Sequence, residues 1–220
     1  MSARDSAHRV VAIDGPAASG KSSVARELAR QIGFDYVNSG AMYRAVTWHV
    51  LRNAVAPDDA AAIAGLVENI RIDCALDRDG SRILINGVDP EEHLRDHRVN
   101  EEVSAVSSVP RVREILVEKM RDYPRDHDVV MEGRDIGSVV FPDTPYKFYI
   151  DASPEVRLRR RQAQGQRDQI AARDRADSSR RTSPLIIAED AHVIDSSSLT
   201  IDGVVGEIIG RLKMKGMEIR

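Results

Sequence analysis

A glycine-rich loop near the amino terminus restricts the possible folds more than any other feature of the sequence. The stretch GPAASGKSS, residues 15–23, follows directly on the apolar run RVVAID. Its spacing matches G-x-x-x-x-G-K-[ST], a loop whose backbone N–H groups surround phosphate groups between a buried strand and the start of a helix. A strand must therefore precede the loop and a helix must follow it, which predicts an α/β fold.

The residue types in this loop predict how a nucleoside triphosphate is held. Gly15 and Gly20 permit backbone conformations that turn successive N–H groups inward. Lys21 is expected to lie across the β- and γ-phosphates as a catalytic cation, and Ser22 to give a hydroxyl ligand to Mg²⁺. We predict that ATP contacts the whole loop: Gly15, Pro16, Ala17, Ala18, Ser19, Gly20, Lys21, Ser22 and Ser23.

The rest of the chain alternates apolar runs with helical periods, as in a parallel sheet covered by helices. Strands are predicted at residues 9–14, 34–37, 129–132, 146–150 and 192–195. Val24, Leu28 and Ile32 recur every four residues, and Gly33 is suited to end that helix. Further helices are predicted at 110–121, opened by Pro110, and at about 201–213. The sequence thus predicts a P-loop fold with a five-stranded parallel sheet in a single domain spanning residues 1–220.

Two segments depart from this alternation. Between residues 70 and 88, short β-rich pieces are separated by Asp79-Gly80 and Asn86-Gly87, both strong hairpin signals. They predict a small β insertion within a region of about 58–105. The segment of about 157–184 is rich in arginine and has few apolar anchors, so we expect a lid that packs loosely and moves.

Composition excludes several classes of protein. The 220 residues are 42% hydrophobic and 30% charged, with a net charge of −3, which argues against nucleic-acid binding through a general basic field. Cys74 is the only cysteine, so an intramolecular disulfide and a cysteine metal cluster are both impossible. No apolar run is long enough for a membrane span and none resembles a signal peptide. We expect a cytoplasmic monomer.

The loop leaves three functional classes open: a phosphotransferase acting on another nucleotide, a kinase acting on a metabolite hydroxyl, and a GTP-dependent switch. Guanine-reading switches share an Asn-Lys-x-Asp stretch, and none of the lysines in this sequence follows an asparagine. The switch class is therefore the weakest of the three.

Two further segments are expected to meet the phosphate loop. Residues 38–44 and 132–137 each follow a predicted strand, and ligands of parallel sheets bind beyond the carboxyl ends of the strands. Arg44 and Arg134 belong to these segments, and Arg113 lies in PRVR at residues 110–113. We expect the three arginines to converge on an anion, because the guanidinium fork matches phosphate.

Five motifs together resemble the bacterial cytidylate kinase family, in the same order and over nearly the whole chain. They are GPAASGKSS, NSGAMYR, PRVR, MEGRDIGSVVFPD and ARDRADSSRRTSPL. The β insertion also resembles the enlarged monophosphate-binding region of that family. The resemblance implies transfer of the γ-phosphoryl group of ATP to CMP or dCMP, with Mg²⁺, to give ADP and the nucleoside diphosphate.

The resemblance also implies roles for individual residues. The pyrimidine nucleotide would contact Ser39, Ser104, Arg113 and Asp135, with Arg44 and Arg134 near its phosphate. Lid residues Arg173, Asp177 and Arg180 would close over the sugar and the reacting groups, so that Lys21, Arg134, Arg173 and Arg180 form the catalytic set. Arg157 and Arg161 would flank the adenine of ATP, with Arg159 and Arg160 as alternatives. The chain departs from some relatives near Ser178, where they carry more charge, and at Glu132, where they carry aspartate.

The chemistry of cytosine supports the same assignment. Its N4 amino group is a donor, which requires an acceptor such as Asp135, and its ring acceptors require donors such as Arg113 and Ser104. Uracil presents an oxygen to Asp135 and would leave both groups unpaired. Simpler interpretations stay open, with Arg44 or Ser104 on a solvated helix face and Asp135 capping a turn. A UMP kinase or a shikimate-type kinase is the alternative function, although the latter has no obvious use for the β insertion or the GRD-x-G segment.

Overall fold

The computed structural model describes residues 8–77, 80–163, 170–180 and 183–219, without the side chains of residues 77, 170, 171 and 173. The strands in these ranges are β1 (Val10–Asp14), β2 (Asp35–Asn38), β3 (Ile72–Asp77), β4 (Gly80–Ile85), β5 (Val129–Gly133), β6 (Tyr146–Asp151) and β7 (His192–Asp195). The helices are α1 (Lys21–Ile32), α2 (Ser39–Arg52), α3 (Ala60–Val67), α4 (His97–Val106), α5 (Pro110–Asp122), α6 (Pro154–Ala163), α7 (Ile170–Ser178) and α8 (Ile201–Met214).

Five strands form one parallel sheet in the order β2-β5-β1-β6-β7. Each lies where the apolar runs predict it, so the predicted five-stranded sheet is confirmed. In the central strand, Ala12 pairs with Met131 of β5 and with Lys147 of β6. Because all pairs are parallel, the carboxyl ends of the strands meet at one edge, where the loops after β1, β2 and β5 lie close together.

The sheet separates two apolar cores, since successive side chains of a strand point to opposite faces. Val10 and Ala12 pack with α2, α3 and α5 on one face, whereas Val11 and Ile13 pack with α1 and α8 on the other. Helix α1 ends as predicted at Gly33, which has φ 72° and donates its N–H to the Ala29 carbonyl. Among the described residues, every helix is too short or too polar to cross a bilayer.

The β insertion is a single hairpin that packs against β2. Strands β3 and β4 are antiparallel, and the Ser81 hydroxyl accepts the Asn38 N–H at 3.0 Å. The second hairpin signal forms only a tight turn: Asn86 and Gly87 have φ of 51° and 76°, and a lone bridge pairs Ile85 with Val88. The predicted small β insertion is therefore confirmed, and the Asn86-Gly87 signal within it corresponds to a turn without a further pair of strands.

The described part of the lid contacts the body through a few charged side chains, while many of its residues are exposed. The expectation that the lid packs loosely and moves stays a prediction. Arg157 of α6 donates to the Ala17 carbonyl at 3.2 Å and to Asp174 of α7 at 2.6 Å. Asp177 of α7 is only 2% exposed. Ion pairs and carbonyl contacts replace the apolar anchors that the sequence lacks, and composition alone does not reveal them.

Asp14 joins the end of β1 to the segment that follows β5. Its carboxylate accepts the N–H groups of Ile136 and Gly137, each at 2.7 Å. These bonds fix the short helical turn at Ile136–Val140, and with it the orientation of Arg134 and Asp135 just before the turn. Burial raises the pKa of Asp14 to about 7, and the two N–H donors offset the effect of burial only partly.

This raised pKa predicts a pH-dependent loss of stability. Because the folded-state pKa exceeds the unfolded one, the stability that Asp14 contributes is fully present below its ordinary pKa of 3.8 and is lost as the pH rises through 7. Relative to Asp14→Asn, the free energy of unfolding of the wild type should fall by about 1–4 kcal/mol over that range, since each pKa unit corresponds to about 1.4 kcal/mol. Urea unfolding of both proteins at several pH values measures the difference, and parallel pH profiles would contradict it.

Candidate active site

One cleft of about 1270 Å³ lies at the carboxyl edge of the sheet and contains most of the predicted site residues. Those in its lining are Ala17, Ala18, Ser19, Gly20, Lys21, Ser22, Ser23, Ser39, Arg44, Ser104, Arg113, Arg134, Asp135, Arg161, Asp177 and Arg180. Gly15, Pro16 and Arg157 are not among the lining residues. Arg173 belongs to α7, and its side chain lies outside the described part of the structure.

The phosphate loop depends on glycine where the chain passes close to β6. Gly15 has φ 154°, and a Cβ added there would lie 2.1 Å from the Ile150 carbonyl oxygen. Gly20 has φ 92° immediately before α1. A side chain at Gly15 would push the loop away from the sheet, so this position requires glycine. The loop therefore connects the end of β1 to the amino terminus of α1, the placement that the motif predicts.

A buried carboxylate lies beside the two loop residues with functional side chains. Ser22 donates its hydroxyl to Glu132 at 2.8 Å, and the Lys21 ammonium lies 4.0 Å from the other Glu132 oxygen. Lys21 also donates to the Pro16 carbonyl at 3.1 Å. Tyr36 donates to Glu132 at 3.4 Å, and burial together with the Glu132 carboxylate raises the pKa of this phenol, so that it stays a donor.

This oxygen pair fits Mg²⁺ held together with phosphate groups. Magnesium prefers one or two protein oxygens plus substrate phosphates and water over a complete protein cage. The described residues contain no group of three or more potential ligands among His, Cys, Asp and Glu. The Ser22 hydroxyl and the Glu132 carboxylate, adjacent to the phosphate loop, match that requirement. The sequence had left the role of Glu132 open.

Arg113 and Asp135 form a buried ion pair at the other end of the cleft. The Arg113 guanidinium donates to Asp135 and, at 3.2 Å, to the Ser107 carbonyl, and both members of the pair are 3% exposed. Arg113 also lies over the Tyr43 ring, 5.2 Å from its centroid. Arg113 is paired with Asp135 in this structure, and the expectation that it joins Arg44 and Arg134 around an anion stays a prediction.

Three buried polar atoms near this pair have no hydrogen-bond partner among the described residues. They are the Tyr43 hydroxyl oxygen, Nε of Arg113 and Nε of Arg180. Burial raises the pKa of Tyr43, so its hydroxyl remains a donor at neutral pH. Because buried polar groups in native proteins are almost always paired, these atoms point to a polar ligand or water at this end of the cleft.

Two predicted serines and Arg44 border the same region. Ser39 begins α2 and donates its hydroxyl to the Glu132 carbonyl at 2.7 Å, which leaves its oxygen as an acceptor. Ser104 lines the cleft from α4 and is half-buried. Arg44 donates to the Gly40 carbonyl at 2.9 Å and to the Asn100 side chain at 3.5 Å. Asn100, which sequence reasoning missed, thus helps to orient Arg44.

The lid meets the body through one carboxylate that binds two arginines. Asp177 accepts from Arg134 at 2.8 Å and from Arg180, while Arg134 also donates to the Gly15 carbonyl at 3.1 Å. Burial lowers the pKa of Arg134, but Asp177, together with Glu132 and Asp174, more than offsets burial and holds the pKa above its ordinary value. The pKa of Arg180 is lowered by burial and by the nearby Arg113 and Arg134 cations. Asp177 therefore holds together cations that repel one another.

The predicted adenine contacts divide into two groups. Arg157 lies beneath the phosphate loop, bonded to Ala17 and Asp174, so its placement beside adenine is not supported. Arg160 and Arg161 line the cleft. Arg160 donates to the Ser19 carbonyl at 3.0 Å and to the Ser196 carbonyl at 2.8 Å, and Ser196 also donates to Ser19. None of these three bonds has a local sequence signal, because each joins residues far apart in the chain.

Comparison with known proteins points to one family. The family model described as cytidylate kinase matches residues 11–214. The chain is 43% identical to a cytidylate kinase of Caldanaerobacter subterraneus subsp. tengcongensis, over 90% of this chain and 92% of that protein. It is 44% identical to a cytidylate kinase of Rhodococcus opacus, over 91% and 93%. A solved shikimate kinase from Acinetobacter baumannii, in complex with shikimate, is 12% identical, with a TM-score of 0.48 over 96% of both chains.

Proposed function

The chain belongs to the cytidylate kinase family, and from this membership we propose that it transfers the γ-phosphoryl group of ATP to CMP or dCMP, giving ADP and the nucleoside diphosphate. The observation that carries the proposal is one cleft with a phosphate loop at one end and the buried Arg113–Asp135 pair at the other. Two nucleotides in this arrangement would meet at their phosphates, among Lys21, Arg44 and Arg134.

Transfer between two phosphates needs no general base in the enzyme. The acceptor phosphate is largely dianionic near neutral pH, because its second pKa is about 6. The task of the protein is to bring two polyanions together and to stabilise charge that shifts among the phosphoryl oxygens. Lys21 binds the phosphates of ATP, and Arg44 and Arg134 bind the acceptor phosphate. The lid arginines Arg173 and Arg180 add positive charge around the transferred group.

The metal assignment follows from the oxygen donors beside the loop. Ser22 and Glu132 would hold Mg²⁺, which, when bound, neutralises charge on the phosphate oxygens of ATP. In this structure the Ser22 hydroxyl donates to Glu132. Glu132 therefore orients the hydroxyl and also keeps a negative charge close to Lys21, which holds the ammonium near the phosphate loop.

The selection of cytosine rests on the Arg113–Asp135 pair. The Asp135 carboxylate accepts from the N4 amino group of cytosine, and Arg113, Ser39 and Ser104 supply polar groups around the ring. The pairing with Arg113 offsets the cost of burying the Asp135 carboxylate. Uracil places an oxygen against that carboxylate, so UMP is a poor substrate.

The lid shields the reaction from water. Asp177 binds Arg134, which in turn contacts Gly15 of the phosphate loop, so the described part of the lid is already joined to the loop. Excluding water prevents hydrolysis of ATP and strengthens each ionic contact inside the cleft. Activity as a cytoplasmic monomer stays a prediction from the composition.

A substrate panel tests the proposed function directly. ADP release is measured by a coupled assay with Mg-ATP and each of CMP, dCMP, UMP, AMP, GMP and shikimate. We expect kcat/KM for CMP and dCMP to exceed that for UMP by about a hundredfold or more, the scale expected when a buried polar contact is left unpaired. Preference for another nucleotide would contradict the roles of Asp135 and Arg113, and turnover of shikimate alone would contradict nucleotide phosphorylation altogether.

A further inference from the structure

Ser107, just after α4, contacts both the lid and the Arg113–Asp135 pair, called here the cytosine-reading pair. Its hydroxyl oxygen accepts from Arg180 of the lid at 2.9 Å, and its backbone carbonyl accepts from Arg113 at 3.2 Å. The hydroxyl also donates to the Ser104 carbonyl at 3.2 Å, and Ser107 is 4% exposed. One buried residue thus bonds two arginines that come from different parts of the fold.

These contacts complete a chain of hydrogen bonds from one end of the cleft to the other. The bonded residues, in order, are Asp135, Arg113, Ser107, Arg180, Asp177, Arg134 and Gly15. All members except Ser107 and Gly15 are charged. Ser107 is the link at which the cytosine-reading pair is joined to the lid, and its two bonds use different atoms, the carbonyl toward Arg113 and the hydroxyl toward Arg180.

The electrostatics explain why Arg180 needs this neutral acceptor. The Arg113 and Arg134 cations both act against the charge of Arg180. Asp177 offsets this repulsion from one side, but it is shared with Arg134. Asp135 also favours the charge of Arg180, but it is paired with Arg113, so the Ser107 hydroxyl oxygen gives Arg180 a neutral acceptor beside its like-charged neighbour. A hydrogen bond to a charged group is stronger than one between neutral groups.

We propose that Ser107 is a positioning residue that holds Arg180 in its catalytic orientation and couples the lid to the cytosine-reading pair. The proposal rests on the proposed function, since the catalytic role of Arg180 belongs to it. Ser107 itself makes no contact with the reacting groups in this assignment. Its hydroxyl is therefore expected to affect kcat, whereas its carbonyl, which any residue retains, keeps Arg113 in place for base selection.

The neighbouring serine gives a matched control. Ser108 is exposed, and its hydroxyl donates to the Ala105 carbonyl at 2.6 Å, the same type of bond that Ser107 makes to Ser104. Of these two serines, only Ser107 also bonds Arg180 of the lid in the described contacts. We expect Ser107→Ala to lower kcat about tenfold, equivalent to about 1.4 kcal/mol, with KM for CMP and the CMP-to-UMP preference nearly unchanged. Ser108→Ala should leave all of these values unchanged, and Ser107→Thr, which retains a hydroxyl, should restore most of kcat.

A double-mutant cycle with Arg180 separates positioning from a general effect on stability. If Ser107 acts through Arg180, Ser107→Ala should lower kcat in the wild type and have almost no further effect in Arg180→Gln. Equal fold-losses in both backgrounds would overturn the proposal, as would a kcat for Ser107→Ala equal to that of Ser108→Ala. If Ser107→Ala changed the CMP-to-UMP preference without changing kcat, the assignment of kcat to the hydroxyl and of base selection to the carbonyl would be wrong.

Limited trypsin digestion tests the bond without relying on catalysis. Trypsin cleaves after arginine, and the bond to Ser107 restrains Arg180. We expect Ser107→Ala to be cut after Arg180 several times faster than wild type and Ser108→Ala, at matched thermal stability. Equal cleavage rates would overturn the proposal. If the wild type fails to phosphorylate CMP, the proposed function fails, while the digestion still reports whether Ser107 holds the lid.

Discussion

Replacement of Lys21 by methionine is expected to lower kcat for CMP phosphorylation by about a thousandfold, while the Kd for ATP rises by less than about tenfold. Methionine fills the buried site of the lysine stem, which is 7% exposed, but carries no charge. The loop N–H groups and α1 still bind the ground-state phosphates. The ammonium is needed chiefly when negative charge shifts during transfer, so the loss falls mainly on kcat.

The measurement pairs steady-state kinetics with equilibrium binding of ATP to each protein. Lys213→Met is the matched control, because Lys213 is exposed near the end of α8, away from the cleft. Lys213→Met should match the wild type in kcat and in the Kd for ATP. If Lys21→Met instead raised KM for ATP and left kcat unchanged, Lys21 would bind ground state and transition state equally, and its catalytic assignment would be wrong.

The contacts of Lys21 illustrate a property that four cations of this cleft share, which is that each lies beside a carboxylate. Glu132 lies near Lys21, Asp135 binds Arg113, and Asp177 binds both Arg134 and Arg180. An unpaired buried cation would be costly, and pairing reduces that cost. The same contacts fix each cation before the polyanions arrive. The cleft therefore stabilises transferred charge with little rearrangement, which is the basis of electrostatic preorganisation.

The sheet and the phosphate loop were predictable because their signals are local. Five apolar runs gave the five parallel strands, and Gly33 marks the end of α1. The G-x-x-x-x-G-K-[ST] spacing places the loop, and the positions after β2 and β5 place two more segments of the cleft. Each inference needs only residues close together in the chain and the rule that parallel strands share one carboxyl edge.

The partners of individual side chains were not predictable in this way. Ser107 and Ser108 are adjacent and identical in type, yet only Ser107 bonds Arg180, because the turn after α4 directs one inward and the other to solvent. Arg157 and Arg160 are three residues apart on α6, yet only Arg160 lines the cleft. The lid was predicted to pack loosely because it lacks apolar anchors, and that prediction could not include contacts such as the bond from Arg134 to Asp177, which joins residues 43 positions apart in sequence.

The largest expected change in specificity comes from Asp135→Asn. The substitution keeps an oxygen for Arg113 but removes the negative charge and adds an amide donor. We expect KM for CMP to rise and the preference for CMP over UMP to fall by about 10- to 100-fold, which corresponds to about 1.5–3 kcal/mol for a hydrogen bond to a charged group. Binding of CMP weakens because the cytosine amino group no longer donates to a carboxylate. Binding of UMP improves because the amide of the new asparagine can donate to the uracil oxygen.

Stability has to be separated from specificity in this test, because Asp135 also neutralises buried Arg113. Asp190→Asn is the matched control: Asp190 binds the Lys147 ammonium at 2.8 Å, and that lysine is buried as well. Both variants weaken a buried cation's ion pair, so both should unfold at lower urea concentration. Only Asp135→Asn should change the ratio of kcat/KM between CMP and UMP. An unchanged ratio in a folded Asp135→Asn protein would mean that Asp135 orients Arg113 without reading the base, and cytosine selection would then rest on Arg113, Ser39 and Ser104.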